Sequence, residues 1–180
     1  YFSAGEGDEM PKLRDAERNE FLSKPGVLMR IACVRDNGSP LVTPIWFIFH
    51  DGAIYFTPRE RSEWFACLKS DPRVCLCIDE DALPYRKLVI EDKAELVHDV
   101  GHDDVWRDLY RQIAMRYVPT NEAEAYVNNT IDQPRALYRV ALRSASVKTW
   151  RMPIPGEDQT GIWHSRYYAK GSKYGDATGV

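Results

Sequence analysis

Two arginines, Arg59 and Arg61, stand at the mouth of a predicted helix, directly after an apolar strand that ends in Thr57. Guanidinium groups and the free amides of a helix N-terminus are both good phosphate ligands. The preceding strand carries the mainly apolar run 43–46, which could form one wall of a slot for a flat ring. An apolar slot beside a phosphate clamp is what flavin mononucleotide (FMN) requires. The competing interpretation is an ordinary hairpin with solvated arginines, and residue pattern alone favours it.

Pro44 constrains the strand that forms this wall. Proline has no N–H to donate to a ladder, so the strand must lie at a sheet edge or carry a bulge there. An unpaired strand edge leaves backbone amides and carbonyls available to bond the polar edge of a heterocycle. This arrangement is compatible with the ring slot.

The elements that position these residues follow from turn signals and periodicity. Asn37-Gly38 and Asp51-Gly52 predict tight hairpins. The predicted order is a helix, three meandering strands, a helix, two strands, two helices and one or two closing strands. The long strand around 85–99 is expected to bend near Glu91-Asp92, and the first of the paired helices to bury Val105, Leu109, Ile113 and Ala114. Short hairpins exclude a doubly wound parallel sheet. We therefore predict a mainly β fold, an antiparallel β-barrel with flanking helices.

Composition narrows the function classes. The 180 residues suit one domain, and the net charge of −3 argues against general nucleic-acid binding. No apolar run reaches the roughly 18 residues of a membrane span, and no signal peptide is visible. The four cysteines are interpreted as reduced, mostly buried thiols. We expect a cytoplasmic protein without a membrane partner, with residues 1–9 a disordered or added leader and Met10 the natural start.

The sequence gives little support for a metal site or for a catalytic nucleophile. His98 and His102 stand four residues apart among acidic residues, but Gly101 lies between them where a strand end meets a helix start. Acidic residues at that position suit the helix dipole, so we expect no metal site. The sequence contains no P-loop, dinucleotide-binding or nucleophile-elbow motif. No catalytic residue is assigned.

Three stretches resemble the pyridoxamine 5′-phosphate oxidase-like superfamily of FMN-binding split barrels, and they lie between about Phe21 and Met152. They are GSPLVTPIWF, IYFTPRERSEWFACLKSDPRVCLCI and PYRKLVIEDKAELV. The order and spacing of these stretches carry the resemblance, because no single one is specific. It implies a six-stranded antiparallel split barrel of Greek-key type. It also implies a homodimer that holds two flavins in clefts between its subunits.

The resemblance also assigns cofactor-binding roles by position. The ring would be bordered by Thr43, Pro44, Ile45 and Trp46. Thr57 would lie near its polar edge or the ribityl chain. The phosphate would be held by Arg59 and Arg61, within a segment that continues to Ser62 and Trp64. Second-rank phosphate or ribityl contacts would come from Arg86 and Lys87, and Trp150 of the partner could cover the ring.

The function implied is an FMN-dependent oxidoreductase acting on an unknown small molecule. True pyridoxamine phosphate oxidases carry Arg at the position of Thr43, and a Lys is usual at that of Glu63. These differences point away from vitamin-phosphate oxidation. Two alternatives stay open: a deazaflavin-dependent reductase on the same fold, and a flavin-binding protein without turnover.

Three regions are predicted. Residues 10–152 form the flavin-binding domain, with a helical insert at about 103–129, and residues 153–180 form a C-terminal extension. Within the extension, Trp163, His164, Arg166 and Tyr167 could line a pocket or dock the tail against the partner subunit, and docking is the favoured interpretation.

Overall fold

A computed structural model describes residues 11–157 of the chain, and the predicted leader and most of the C-terminal extension lie outside them. The helices are α1 (Asp15–Ser23), α2 (Glu63–Ser70), α3 (Arg107–Met115) and α4 (Thr120–Asn129). The strands are β1 (Met29–Val34), β2 (Pro40–Ile45), β3 (Ile48–His50), β4 (Ala53–Phe56), β5 (Arg73–Asp79), β6 (Lys87–Lys93), β7 (Glu95–His98), β8 (Leu137–Ala141) and β9 (Ser146–Trp150).

The strands form two antiparallel sheets. One has the order β2-β1-β5-β6-β9 and the other the order β3-β4-β8-β7. The chain crosses between the sheets four times, once through α2 between β4 and β5 and otherwise within three pairs of consecutive strands, β2–β3, β6–β7 and β8–β9. If each pair counts as one bent strand, six strands remain and their neighbours form a ring, although no single ladder closes it. The predicted mainly β, six-stranded split barrel with flanking helices is confirmed.

Two strands predicted as continuous are broken. The run 41–50 divides at Trp46-Phe47, and the run 85–99 divides at Ala94 rather than near Glu91-Asp92. Phe47 and Ala94 are both buried, so each break occurs where a corner residue turns into the core. The exposed Glu91 and half-buried Asp92 instead continue the ladder of β6 opposite β5.

Pro44 lies where its chemistry requires. β2 is an edge strand of the five-stranded sheet, and its one neighbour in that sheet is β1, with Pro44 opposite Arg30. The Asp51-Gly52 turn also agrees with prediction. Both residues have positive φ, 46° and 74°, as a two-residue hairpin turn between β3 and β4 demands.

Alternation along β5 separates the core from an outer surface. Val74, Leu76 and Ile78 are buried, whereas Cys75 and Cys77 face the other side and are half-buried. We call that other side of the five-stranded sheet the outer face. Its centre is small and apolar, formed by Ala32, Val42, Cys75, Cys77 and Val89.

The helical insert covers the corner between the two sheets. Its buried cluster contains Trp106, Tyr110, Ala114, Ala123, Val127 and Leu137. The prediction that Val105 belongs to the buried face is wrong, because α3 begins only at Arg107 and Val105 is 65% exposed before it. Trp106 takes the inward position instead. Within residues 11–157, no helix has the length and apolar character that a membrane span needs.

Candidate functional site

Three of the predicted phosphate-site residues share one open cleft. Arg59, Arg61 and Ser62 line it on one side, and the segment Asp132-Gln133-Pro134 lines it on the other. Glu60 completes the lining, and the cleft has a volume of about 820 Å³. The N-terminus of α2 lies directly after Ser62, so the cleft is adjacent to the start of that helix.

A short backbone ladder holds the arginine segment against the opposite wall. Arg59 forms an antiparallel bridge with Arg135. The Glu60 amide donates to the Pro134 carbonyl at 2.9 Å, and the Ala136 amide donates to the Pro58 carbonyl at 3.1 Å. The two walls of the cleft are therefore parts of one hydrogen-bonded strap, although about 75 residues separate them in sequence.

The start of α2 has no side-chain cap, although the Phe65 amide donates to the Ser62 carbonyl at 3.1 Å. Ser62 occupies the N-cap position, but its hydroxyl donates to the Arg59 carbonyl at 2.7 Å and makes no capping bond to the helix. The first amides of an α-helix have no partner within the helix and carry partial positive charge. α2 ends at Ser70, since the following Asp71 precedes Pro72 and adopts an extended conformation.

The cleft contains two cationic side chains that are available to an anion. Within residues 11–157, neither Arg59 nor Arg61 has a carboxylate partner, and both side chains are exposed. Most of the other arginines within residues 11–157 are paired with a carboxylate, for example Arg111 with Glu124 at 2.7 Å. Glu60 and Asp132 supply the acidic side chains of the lining.

Glu63 stands where a lysine is usual in the family that the sequence resembles, and it does not contribute free negative charge to the cleft. Its carboxylate accepts from the Arg35 guanidinium at 2.6 Å. This hydrogen bond lowers the pKa of Glu63. The carboxylate is therefore ionised but neutralised by Arg35.

Thr57 and Trp64 lie close to the cleft but are engaged in packing. Thr57 is buried, and its carbonyl accepts from the Arg135 guanidinium at 3.3 Å. Trp64 is half-buried on α2 and its ring centre lies 6.1 Å from that of Phe56. Thr57 is buried and Trp64 packs against the core, and neither lines the cleft.

The predicted ring wall on β2 does not line this cleft. Thr43 is half-buried on the side of β2 that also carries Ile45, and Ile45 packs against the core. Pro44 is exposed. The Trp46 ring stacks on Tyr117 of the helical insert, with centroids 4.9 Å apart and planes at 5°. Trp46 therefore already has an aromatic partner within its own chain.

Arg86, Lys87 and Trp150 lie at the end of the five-stranded sheet away from α2. Lys87 is opposite Asp79, the last residue of β5, whereas α2 leads into the first, Arg73. Arg86 donates from Nε to Glu80 at 2.8 Å and lies over the Phe21 ring. The Lys87 ammonium lies 4.6 Å from the centre of the Trp150 ring, opposite it on β9. β5 separates the two ends and spans about 20 Å. Within one chain, these residues and Arg59 cannot contact the same phosphate.

The buried residue behind the cleft, Arg135, could not be predicted from the sequence. Arg135 is only 7% exposed and bridges directly to Arg59. Its position just after Pro134 and before β8 gave no signal, because an arginine at a strand start is ordinarily solvated.

A second cleft of about 630 Å³ adjoins the first at Glu60 and is lined in part by Lys69, Ser70 and Asp99.

Thiol and metal chemistry are not prominent in the described part of the chain. All four cysteines are free, with Cys33 and Cys67 buried. Burial, with Cys67 nearby, raises the pKa of Cys33 to about 12, so that thiol is not a nucleophile at neutral pH. No group of three or more His, Cys, Asp and Glu side chains among residues 11–157 could hold a metal ion.

Comparison with known proteins identifies the family of this chain. The family model described as pyridoxamine 5′-phosphate oxidase matches residues 15–148. A search of curated proteins finds no match. A conserved hypothetical protein from Mycobacterium tuberculosis has a similar structure, with TM-score 0.64, 20% identity and coverage of 88% of this chain and 99% of that chain.

Two further solved structures share the fold. One is an F420 reductase, with TM-score 0.52, 22% identity and coverage of 71% of this chain and 94% of that chain. The other is an FAD-binding protein from Mesorhizobium loti, with TM-score 0.56, 18% identity and coverage of 78% and 97%. At these identities the likeness shows the fold alone.

Proposed function

Because the chain belongs to the pyridoxamine 5′-phosphate oxidase family, we propose that it binds FMN and acts as a flavin-dependent oxidoreductase on a small molecule. One observation carries the proposal. Arg59 and Arg61, both without a carboxylate partner among residues 11–157, converge with the N-terminus of α2 on a single cleft.

The cleft has the donors that a phosphomonoester needs. Two guanidinium groups can each make charge-assisted hydrogen bonds to phosphate oxygens. The uncapped amides of α2 add donors and a favourable dipole. A volume of about 820 Å³ lies in the range of small-molecule and cofactor sites. The residues present therefore fit the phosphate end of a flavin nucleotide.

Bound flavin supplies the hydride chemistry, and the protein supplies binding, orientation and exclusion of water. This division of labour agrees with the lack of an assigned catalytic residue. In this proposal Arg59 and Arg61 hold the phosphate, while Ser62 fixes their segment through its bond to the Arg59 carbonyl.

We further propose that the functional unit is a homodimer formed through the outer face. Its apolar centre includes Val42, which is 62% exposed. Ion pairs border that centre, Arg30 with Asp79 and Lys148 with Glu91. An apolar centre with a charged rim is typical of protein interfaces. A twofold axis that reverses strand direction would bring Lys87 and Trp150 of one subunit towards the arginine cleft of the other.

A deazaflavin coenzyme is the second candidate. One structural neighbour is named an F420 reductase. The cleft at Arg59 continues past Glu60 into the second cleft, where Lys69 could meet an extended anionic tail. A flavin-binding protein without turnover would use the same site and would never be reduced by nicotinamide nucleotides.

The test compares FMN with riboflavin, which differs only by the phosphate. Fluorescence titration of the purified protein should show much tighter binding of FMN. Replacing Arg59 and Arg61 together by alanine should weaken FMN binding roughly a hundredfold and leave riboflavin within about twofold. The matched control replaces the exposed Lys93 and Arg143, which removes the same charge away from the cleft.

The spectrum and mass of any small molecule that copurifies distinguish FMN from the deazaflavin. Equal affinity for FMN and riboflavin in the wild-type protein would contradict the phosphate site. An equal loss of FMN binding in the control variant would show that net charge, rather than the cleft, attracts the ligand.

A further inference from the structure

Arg135 is a buried cation without an ion-pair partner among residues 11–157. One of its guanidinium nitrogens donates to the Thr57 carbonyl at 3.3 Å, and the group lies 4.5 Å from the centre of the Tyr110 ring. Nε and Nη2 make no hydrogen bond of good geometry in the described chain, and the Tyr126 hydroxyl is the polar side-chain group that interacts with this guanidinium. Burial lowers the pKa of Arg135. Arginine is rarely buried in this way unless its charge is compensated.

Two side chains next to Arg135 also have buried polar atoms without hydrogen-bond partners in the described chain. The Asp103 carboxylate accepts from the Arg135 amide through Oδ2 at 2.9 Å, but its Oδ1 atom is buried without a partner in the described residues. The Trp106 indole N–H is likewise buried and unpartnered there. All three residues line one small cavity of about 10 Å³, which is the size of a single water molecule.

The cavity adjoins the arginine cleft. Gln133 lines both of them, and Arg135 is the bridge partner of Arg59. Directly opposed residues of antiparallel strands project to the same face of the sheet. Arg135 is buried and Arg59 is exposed, so the buried guanidinium charge of Arg135 lies behind the exposed charge of Arg59. Like charges so placed repel, which favours Arg59 extending into the cleft.

We propose that Arg135 is a positioning residue for Arg59, held by a water-bridged pair with Asp103. The water accepts from the Trp106 indole and from one Arg135 nitrogen and donates to Asp103 Oδ1, so that each of the three side chains gains a partner. The pair ties the helical insert to the cleft through Trp106 and Tyr110. This inference rests on the proposed phosphate site, because it gives Arg135 its effect through Arg59.

The experiment is a double-mutant cycle on FMN and riboflavin binding, using Arg135→Met, Arg59→Ala and the combined variant. Arg135→Met should weaken FMN binding about tenfold and riboflavin binding less than about twofold. In the Arg59→Ala background, the same substitution should change FMN binding by less than about twofold, because the residue it positions is gone.

Two further variants keep the cycle interpretable. Arg135→Lys keeps the charge and can replace Arg135→Met if that variant does not fold; it should give an intermediate loss. Ile113→Val, a substitution in the buried face of α3, controls for general loosening of the insert and should leave FMN affinity unchanged. A crystal structure should show one ordered water bonded to both Asp103 and Arg135.

The outcomes separate the two proposals. If the wild-type protein does not prefer FMN to riboflavin, the phosphate site itself fails. If it does, but the Arg135→Met loss is absent or persists undiminished without Arg59, the positioning role is overturned. A direct Asp103–Arg135 contact without a water would overturn the bridged arrangement.

Discussion

The Tyr117 hydroxyl lies between the backbones of Phe47 and Val27. It accepts from the Phe47 amide at 3.1 Å and donates to the Val27 carbonyl at 2.9 Å. The side chain comes from the segment after α3, and Phe47 is the corner at which the chain leaves β2 for β3. One hydroxyl from the insert therefore completes the backbone hydrogen bonding at the corner between the two sheets.

Replacing Tyr117 by phenylalanine should destabilise the protein by about 1–3 kcal/mol, because two part-buried backbone groups lose their partner while the ring stack on Trp46 remains. Urea unfolding measures the free energy. Tyr85→Phe is the control, since Tyr85 is 43% exposed and has no bond to its hydroxyl in the described chain. Equal stability of the two variants would show that the corner does not depend on Tyr117.

The Arg35–Glu63 pair should influence ligand binding from outside the cleft. Replacing Arg35 by alanine leaves the Glu63 carboxylate unneutralised at the start of α2, and FMN affinity should fall about threefold. Adding Glu63→Gln should restore it. Fluorescence titration measures both variants, and a loss that persists in the double variant would assign the effect to Arg35 itself.

The Glu80 carboxylate should make stability depend on acid pH. Burial raises the pKa of Glu80, but hydrogen bonds from Arg86 and Lys24 outweigh this and bring it to about 2, below the ordinary value of 4.5. The unfolded chain binds the proton more readily, so the stabilisation is present above pH 4.5 and is lost as pH falls towards 2.

Glu80→Gln should therefore be less stable than wild type at pH 6, by on the order of 2–3 kcal/mol, and the difference should shrink towards pH 2. Denaturant unfolding at several pH values provides the measurement. Glu122→Gln, at an exposed position on α4, is the control. A difference that stays constant with pH would remove Glu80 as its source.

The outer face can be tested with a matched pair of substitutions. Val42 is 62% exposed on that face, and Val105 is 65% exposed elsewhere. Val42→Glu buries a charge if two copies pack there and should yield monomers, whereas Val105→Glu should not change the mass. Light scattering measures the molar mass of both variants. A Val42→Glu protein of unchanged dimeric mass would place the interface on another surface.

Local signals were enough to predict most of the order of helices and strands along the chain, and Pro44 limited β2 to a sheet edge or a bulge. Turn dipeptides and Pro44 act within a few residues, so the sequence displays them directly. The corners at Phe47 and Ala94 could not be found in this way. Both stretches continue a strand pattern, and the chain bends there only because each corner residue is drawn into a core built from distant elements.

The arginine cleft was predictable on one wall only. Arg59 and Arg61 are adjacent to the helix they serve, whereas Asp132-Gln133-Pro134 reaches the cleft through a bridge between residues 76 apart. The stacking of Trp46 on Tyr117 and the pairing of Arg86 with Glu20 are also non-local. A residue's type indicates which chemistry it offers, but its partners decide whether that chemistry is available to a ligand.

The length of β5 has a genetic consequence if two copies form the proposed dimer. A pocket would then be assembled from the Arg59 end of one chain and the Lys87 end of the other, so the two defects would be complementary. One variant would replace Arg59 and Arg61, and a second would replace Lys87 and Trp150. Co-expression of the two should give mixed dimers in which one pocket contains all four substitutions and the other pocket contains none.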